Sequence, residues 1–227
     1  MERVGADVKQ GAARLYEKRG RPHLAMSVTI PIAPCAGTKV AGIDLGLRNL
    51  AVVNCGGATL FFNGYRAGYL RRRMSNLRRL MGEAKSLRAI RRMKDKEARW
   101  MKDLDHKISR RIVNWCMARE VGSIRVEDLS GIRLRGKRGR KDRGRSLDSW
   151  SFHRLQRYIA YKAALAGIRV EWVIPTDTSR TCPSCGGVDK ENRAGIRFEC
   201  GSCGHRQHAD VAAAYNISKA ISGLAAA

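Results

Sequence analysis

Four of the seven cysteines form two closely spaced pairs. Two residues separate Cys182 from Cys185 and Cys200 from Cys203, and 14 residues lie between the pairs. Two tight turns at this spacing can present four thiolates tetrahedrally to one zinc ion. Four thiolates leave no ligand position for water. The spacing therefore predicts one structural Zn²⁺ ion in a zinc ribbon.

The other cysteines and two nearby histidines carry a weaker signal. Cys35, Cys55 and Cys116 are scattered along the chain. We expect them to be small buried or half-buried hydrophobic residues. His205 and His208 follow the last cysteine pair. We interpret them as surface or nucleic-acid contacts rather than as metal ligands.

Three acidic residues lie at the ends of predicted core elements. Asp44 lies in the apolar run GIDLG, Glu127 ends the run SIRVE, and Asp210 opens the last helical segment. Taken singly, each has an ordinary alternative: a turn cap, an ion pair with a neighbouring arginine, and a helix N-cap. A buried carboxylate is costly without a partner, and three that converge repel one another. Together they predict a site for two Mg²⁺ ions that hydrolyses phosphodiester bonds.

The charge balance points to a polyanionic partner. The chain has 227 residues, with 45 Lys and Arg against 20 Asp and Glu, a formal charge of +25. A chain this basic gains free energy by neutralising phosphates and releasing their counterions. A surface kept basic for solubility alone is the alternative, but such a surface would also bind nucleic acid. We therefore expect a nucleic acid as a partner.

The basic residues concentrate in two places. Residues 66–111 contain 17 Lys or Arg against 5 acids, too many for i,i+4 pairs to balance. The Gly- and Arg-rich stretch 132–145 has no apolar period and is expected to be a loop. Ordinary solvated helix faces are the alternative. The residues expected to contact nucleic acid are Arg71, Arg72, Arg78, Arg79, Arg91 and Arg92 in the helices and Arg135, Lys137, Arg138 and Arg140 in the loop.

Membrane and secretory segments are not expected. No segment approaches the roughly 18 consecutive apolar residues that span a bilayer. The first 22 residues lack the apolar central region of a secretory signal. The sequence favours a cytoplasmic, nucleoid-associated protein, in which cysteines bind metal more often than they form disulfides.

The apolar periodicity predicts an α/β fold. We expect strands at 23–32, 39–46, 49–54, 58–64, 123–129 and 168–175, with loosely held residues before the first. Helical periods cover 69–93, 100–115 and 150–167, and an Ala-rich helix begins near residue 210. This order is that of an RNase H-like fold, a mixed sheet flanked by helices, with a basic helical insertion and a small zinc ribbon.

Four stretches together resemble the TnpB family of transposon-encoded nucleases, which are relatives of the type V CRISPR effectors. They are GIDLGLRNLAVV, HKISRRIVNW with IRVEDL, TSRTCPSCG with FECGSCG, and DVAAAYNI. Their order and spacing also match, over about residues 24–222. The resemblance implies a RuvC-type nuclease domain and an RNA-guided, Mg²⁺-dependent DNA endonuclease linked to transposition. It assigns catalysis to Asp44, Glu127 and Asp210, with DNA and a guide RNA as partners.

The resemblance also predicts a division into domains. Residues 39–178 and 205–227 would form the nuclease domain, with a basic helical region at 66–120 and a zinc ribbon at 179–204. Residues 1–38 would be a remnant of the longer N-terminal portion that binds guide RNA in the family, and a partner or a dimer could supply what this portion lacks. The third motif usually has Asn two residues after its Asp, where this chain has Ala212.

Two other functions are compatible with the same residues. The first is a non-cleaving nucleic-acid-binding protein, a transposon remnant or repressor-like descendant. The second is a strand-transferring transposase, which we rank low because no Tyr or Ser nucleophile site with partners is evident.

Overall fold

The computed structural model describes residues 8–18, 20–93, 95–129, 152–174 and 177–220. The chain divides into two compact units, Met1–Pro34 and Cys35–Ala227. Among the described helices, none combines the length and the apolar character that crossing a membrane would require.

The first unit contains a β-hairpin. Strand β1 (Lys9–Lys18) pairs antiparallel with β2 (Arg21–Thr29), and Gly20 takes a left-handed φ of 70° at the turn. All residues of both strands are exposed. The predicted strand at 23–32 is confirmed over most of its length. The expectation that the preceding residues are loosely held is wrong for β1. This strand could not be predicted, because its sequence lacks the apolar alternation that marks a half-buried strand.

The second unit is built on a five-stranded mixed sheet. Its strands are β3 (Lys39–Asp44), β4 (Asn49–Cys55), β5 (Ala58–Asn63), β6 (Val121–Glu127) and β7 (Arg169–Val173). The order across the sheet is β5-β4-β3-β6-β7. Strands β3, β4 and β5 form an antiparallel meander, while β6 pairs parallel with both β3 and β7. The predicted RNase H-like α/β fold is confirmed.

The described part of this unit contains five helices. They are α1 (Tyr65–Glu83), α2 (Leu87–Met93), α3 (Lys96–Met117), α4 (Phe152–Leu165) and α5 (Ala209–Lys219). The apolar stripe predicted to run through residues 69–93 is broken between α1 and α2, where Lys85 has a left-handed φ of 49°. A short connection leads from helix α3 to β6, and another leads from α4 to β7, as in other α/β folds.

The two faces of the sheet are covered by different helices. Ala41 and Ile43 of β3 are fully buried in one core with residues of α3 and α4. Gly42 points to the opposite face, because side chains alternate along a strand. A Cβ atom at Gly42 would lie 2.0 Å from the carbonyl oxygen of Ala214 in α5. Glycine therefore allows α5 to approach β3 closely, which fixes the helix that carries Asp210.

A small three-stranded sheet contains part of the cysteine segment. Strands β8 (Arg193–Ala194), β9 (Arg197–Glu199) and β10 (Arg206–His208) pair antiparallel in the order β10-β9-β8. The segment leads directly into α5. The domain boundaries expected from the sequence stay predictions.

Candidate functional site

Asp44 and Glu127 end neighbouring parallel strands. Asp44 is the last residue of β3 and Glu127 the last of β6, and Ile43 pairs with Val126 one residue earlier. Because parallel strands end at the same edge of a sheet, the two carboxylates lie on one edge. The apolar sequences before them are buried, which is why these acids emerge where the hydrophobic runs stop.

Asp210 reaches this edge from the first turn of α5. The imidazole of His208 caps the helix, with its Nδ1 accepting from the backbone N–H of Asp210 at 3.2 Å. His208 thus caps the helix that carries an acid, rather than being a mere surface contact. The Asn49 amide donates to Oδ2 of Asp210 at 2.9 Å, and the Arg193 guanidinium donates to Oδ1 at 2.7 Å. Both carboxylate oxygens are therefore held in place.

Electrostatics ties the three acids into one site. The pKa of Asp44 is raised from 3.8 to about 7, first by burial and then by the negative charges of Asp210 and Glu127. Burial also raises the pKa of Glu127, against a hydrogen bond from the Thr178 hydroxyl and the charge of Arg193. Burial raises both pKa values, and repulsion from like charges adds to the shift of Asp44. A bound cation would oppose both effects.

The acids suit divalent metal ions by their chemistry. Carboxylate oxygens are the hard ligands that Mg²⁺ prefers. Within the part of the chain that the structure describes, the oxygens of Asp44, Glu127 and Asp210 do not all lie within 4.8 Å of one another, as the ligand atoms of the cysteine cluster do. Arg193 places a positive charge beside these acids, because it pairs with Asp210 at 2.7 Å and lowers the pKa of Asp44.

The four paired cysteines form a compact cluster. Their sulfur atoms all lie within 4.8 Å of one another, with Cys182 and Cys203 at 3.6 Å and Cys185 and Cys200 at 3.6 Å. Tetrahedral zinc with Zn–S bonds of about 2.3 Å separates its sulfur atoms by about 3.8 Å. A hydrogen bond from the backbone of Cys203 is the main cause that lowers the pKa of Cys200 to about 6, favouring the thiolate. The cluster can hold one zinc ion.

Glycines complete the cysteine turns. Gly186 and Gly204 directly follow the second cysteine of each pair, with φ of 77° and 70°. Such left-handed backbone favours glycine, as the sequence led us to expect.

The cysteine segment packs directly on the start of α5. Cys182, Phe198 and Cys200 form one buried cluster with Ala209 and Ala212. Ala212 is fully buried there, so a polar amide at this position would displace part of the cluster. The position at which the TnpB pattern has Asn is thus used here for packing, while Asn49 and Arg193 orient Asp210.

The residues predicted to bind nucleic acid fall into four groups. Arg72, Arg91 and Arg92 are exposed. Arg78 pairs with Glu97 at 2.6 Å and Arg79 with Glu83 at 2.7 Å, both on the surface. Arg71 is half-buried, and burial lowers its pKa. The loop residues Arg135, Lys137, Arg138 and Arg140 lie outside the described residues.

Three residues of the site escaped sequence reasoning. Arg193 contacts Asp210 from within the cysteine segment. Asn49 contacts Asp210 from the start of β4, and Thr178 contacts Glu127 from just before the cysteines. Thr178 belongs to the TSR run that carries the family resemblance, and Asn49 to the GIDLGLRNLAVV run. Arg193 had no sequence signal, because its contact depends on the cysteine segment folding back over α5.

Known proteins resemble the chain in sequence over most of its length. Residues 23–133 match the model OrfB_IS605, described as a probable transposase, and residues 152–217 match the model described as Cas12f1-like, TNB domain. A CRISPR-associated endodeoxyribonuclease Cas12f1 of Sulfoacidibacillus thermotolerans is 38% identical over 138 residues, 60% of this chain and 31% of that protein. A TnpB-like protein of Methanocaldococcus jannaschii is 36% identical over 124 residues, 55% of this chain and 44% of that protein.

Solved structures share the fold. A Cas12f1–sgRNA–target DNA complex matches with a TM-score of 0.66 at 18% identity, covering 96% of this chain and 68% of that one. The chain spans less than half the length of the two curated relatives described above, 31% and 44%.

Proposed function

Since this chain belongs to the TnpB family, we propose that it is a metal-dependent DNA endonuclease whose cutting site is formed by Asp44, Glu127 and Asp210. One observation carries the proposal. Three acids from β3, β6 and α5 meet at one sheet edge, where their mutual repulsion helps to raise the pKa of Asp44 to about 7. Acids held close together with perturbed pKa values are typical of metal-binding and catalytic sites.

The side chains of the site have separable roles. Asp44, Glu127 and Asp210 would hold two Mg²⁺ ions, which when bound activate water and stabilise the leaving oxygen of a phosphodiester. The Thr178 hydroxyl orients the Glu127 carboxylate. Arg193 orients Asp210 and places a positive charge beside the site, where a substrate phosphate oxygen would lie.

The partners are proposed from the relatives. One relative is named a CRISPR-associated endodeoxyribonuclease, and the structural neighbour is a complex with sgRNA and target DNA. We infer that this chain acts on DNA and is guided by RNA, as part of a transposition system. Base pairing to the guide would then select the target, while basic protein residues hold the backbones. The four cysteines would hold one structural Zn²⁺ ion, and cytoplasmic location remains our expectation.

Cutting of labelled DNA tests the proposal directly. Zinc-loaded protein, with and without RNA copurified from the host of its gene, is mixed with single- and double-stranded DNA in Mg²⁺. We expect Mg²⁺-dependent cutting that Asp44→Ala abolishes and that Glu83→Ala, an exposed acid of α1, leaves intact. Equal cutting by Asp44→Ala and parent would refute the assignment of the site.

A second function has one structural observation in its favour. The guanidinium of Arg193 pairs with Oδ1 of Asp210 at 2.7 Å, so a cation of the protein already occupies a position where a metal ion would compete for this carboxylate. The chain would then be a non-cleaving nucleic-acid-binding protein. Tight, salt-sensitive binding of DNA or RNA by folded protein, with no nicking in Mg²⁺ or Mn²⁺ even with RNA present, is the result that this alternative requires.

A further inference from the structure

A basic groove lies between α3 and α4, away from the carboxylates. It is an open depression with a volume of about 560 Å³. We call it the α3–α4 groove, and its lining includes His106, Lys107, Arg110, Asn114, Tyr161 and Lys162. The lining contains several cations and no acidic residue, although Lys107 pairs with Asp103 on the surface of α3 at 2.7 Å. A concave surface of one charge sign focuses the electrostatic field and concentrates ions of the opposite sign.

Lys162 is the buried centre of this groove. Its side chain is only 3% exposed. The ammonium donates to the backbone oxygen of His106 at 2.6 Å and to the hydroxyl of Ser109 at 2.7 Å, both neutral acceptors. Among the described residues, no carboxylate lies within ion-pair distance of Lys162. A buried ammonium without a counter-ion is destabilising, and an anionic ligand would compensate it.

The surroundings of Lys162 increase this demand. Burial and the neighbouring positive charge of Arg110 lower the pKa of Lys162. The rings of Tyr158 and Tyr161 lie 5.9 and 5.7 Å from its ammonium. Aromatic faces stabilise a cation but do not neutralise it. An anion that binds beside Lys162 would therefore stabilise the charged ammonium.

The groove is separate from the carboxylate site. Helices α3 and α4 end shortly before β6 and β7 begin, so their last turns lie near the starting edge of these strands. Glu127 lies at the opposite end of β6, where Gln156 of α4 donates to its backbone oxygen at 2.7 Å. Lys162 lies six residues beyond Gln156, about 9 Å farther along the helix axis. A ligand in the groove would not need to contact the cutting site.

We propose that the α3–α4 groove binds the phosphodiester backbone of a nucleic-acid strand, with one phosphate beside Lys162 and Arg110. Lys107, Arg110 and Asn114 recur at spacings of three and four on one face of α3, so their polar groups form a row along the groove. Tyr161 is 43% exposed beside this row and offers a ring on which a base stacks. A polymer with repeated phosphates and flat bases fits this combination better than a single small anion.

Binding measurements on matched variants test the site. The full zinc-loaded chain, in an Asp44→Asn background without Mg²⁺, is titrated into fluorescein-labelled dT20 and rU20 at several salt concentrations. We expect Arg110→Ala to weaken binding several-fold and to reduce the slope of log affinity against log salt by about one, as for one lost phosphate contact. Lys190→Ala, an exposed cation of the cysteine segment, is the matched control and should change the slope less.

Lys162→Met removes the buried charge and should reduce binding at least as much as Arg110→Ala. If Lys162→Met does not fold, Arg110→Ala decides alone, because Arg110 is exposed. Indistinguishable slopes for Arg110→Ala and Lys190→Ala would overturn the proposal. Comparison of dT20 with rU20 tells whether DNA or RNA occupies the groove.

Photocrosslinking locates the contact independently. An oligonucleotide carrying 5-iodouracil should give an adduct on the peptide containing Tyr161, found by mass spectrometry. Adducts confined to other peptides would contradict the proposal, as would loss of the Tyr161 adduct in 10 mM inorganic phosphate, which would mark a site for a free anion. The inference rests on the proposed function in one respect, the choice of a nucleic acid as the polyanion that binds the groove. Since no cutting is measured, its failure is distinct from failure of the nuclease proposal.

Discussion

At the scale of single residues, the raised pKa of Asp44 reflects burial and electrostatic repulsion within the carboxylate site. Its pKa is raised to about 7 by burial and by the charges of Asp210 and Glu127. A carboxyl whose pKa is higher in the folded than in the unfolded state stabilises the fold when protonated. That stability is fully present below about pH 4 and is lost as the pH rises to about 7.

The pH dependence of unfolding should expose this repulsion. Between pH 4 and 8, without added Mg²⁺, we expect the loss of stability with rising pH to be smaller in Asp44→Asn than in the parent. At pH 8 the variant should be more stable, by on the order of a few kcal/mol, because it lacks the repelled charge. Urea unfolding measures the difference, with Glu83→Gln as an exposed control. Parallel curves for parent and Asp44→Asn would contradict the electrostatic account.

Arg193 combines two residue-scale effects that mutation can separate. Its guanidinium holds Asp210 at 2.7 Å and lowers the pKa of Asp44. We expect Arg193→Met to cut DNA about 100-fold or more slowly, because a preorganised donor near the phosphate is lost. Its affinity for Mn²⁺ should not fall, because a competing cation is also removed. Arg193→Lys should recover part of the rate, since it keeps the charge but not the planar fork.

Single-turnover cutting and calorimetric Mn²⁺ titration measure the two effects of Arg193 separately. The matched control is Arg197→Met, an exposed arginine that lies in the same cysteine segment and pairs with Glu199 at 3.7 Å. Cutting by Arg193→Met at the parental rate would show that the arginine only balances charge in the metal-free protein.

The sequence predicts the acids better than their partners. Asp44 and Glu127 could be placed because each ends an apolar run, and parallel pairing of β3 with β6 brings these ends to one sheet edge. Arg193 and Thr178 could not, because their contacts span 17 and 51 residues and depend on how the cysteine segment folds back. Whether these residues act in catalysis stays a prediction.

At the scale of elements, periodicity predicts most of the strands and helices of the second unit. It fails at β1, where an exposed hairpin strand needs no apolar alternation, and between α1 and α2. There the apolar stripe continues through residues 87–93, but the backbone breaks at Lys85. Side-chain pattern reports which face is buried, not whether the backbone is continuous.

At the same scale, the cysteine segment supports the carboxylate site. Its buried residues Cys182, Phe198 and Cys200 pack on Ala209 and Ala212 of α5, and β8 carries Arg193. Removal of a metal from such a small module usually unfolds it, because zinc binding supplies much of the folding free energy. Loss of zinc should therefore displace both Arg193 and the start of α5.

A cysteine variant tests this dependence. We expect about one zinc per chain in the parent and none in Cys200→Ser, measured by elemental analysis. The variant should also lose DNA cutting and become sensitive to protease within residues 179–208, although no cysteine contacts substrate. Cys35→Ser makes the same chemical change outside the cluster and should keep zinc and activity. Zinc-free Cys200→Ser that cuts at the parental rate would mean that α5 holds its position without the ribbon.

At the scale of the whole molecule, charge dominates the interaction with other molecules. The formal charge is +25, and the described surface pairs only part of its cations with acids. The proposed hydrolysis needs only a few acids, whereas the excess of cations favours a polyanionic partner. Composition alone could predict this, because counterion release depends on the number of phosphates neutralised and not on the detailed fold.

Salt should therefore control binding more than base sequence does. For a chain that contacts about six phosphates, affinity for duplex DNA should fall about 1,000-fold between 50 and 200 mM salt. Fluorescence anisotropy over this range, in the Asp44→Asn background, gives the slope. A peptide nucleic acid of the same base sequence has an uncharged backbone and should bind far more weakly, with little response to salt. Equal affinity for the charged and uncharged strands would mean that bases or shape, rather than phosphates, hold the nucleic acid, and the excess of cations would then need another partner.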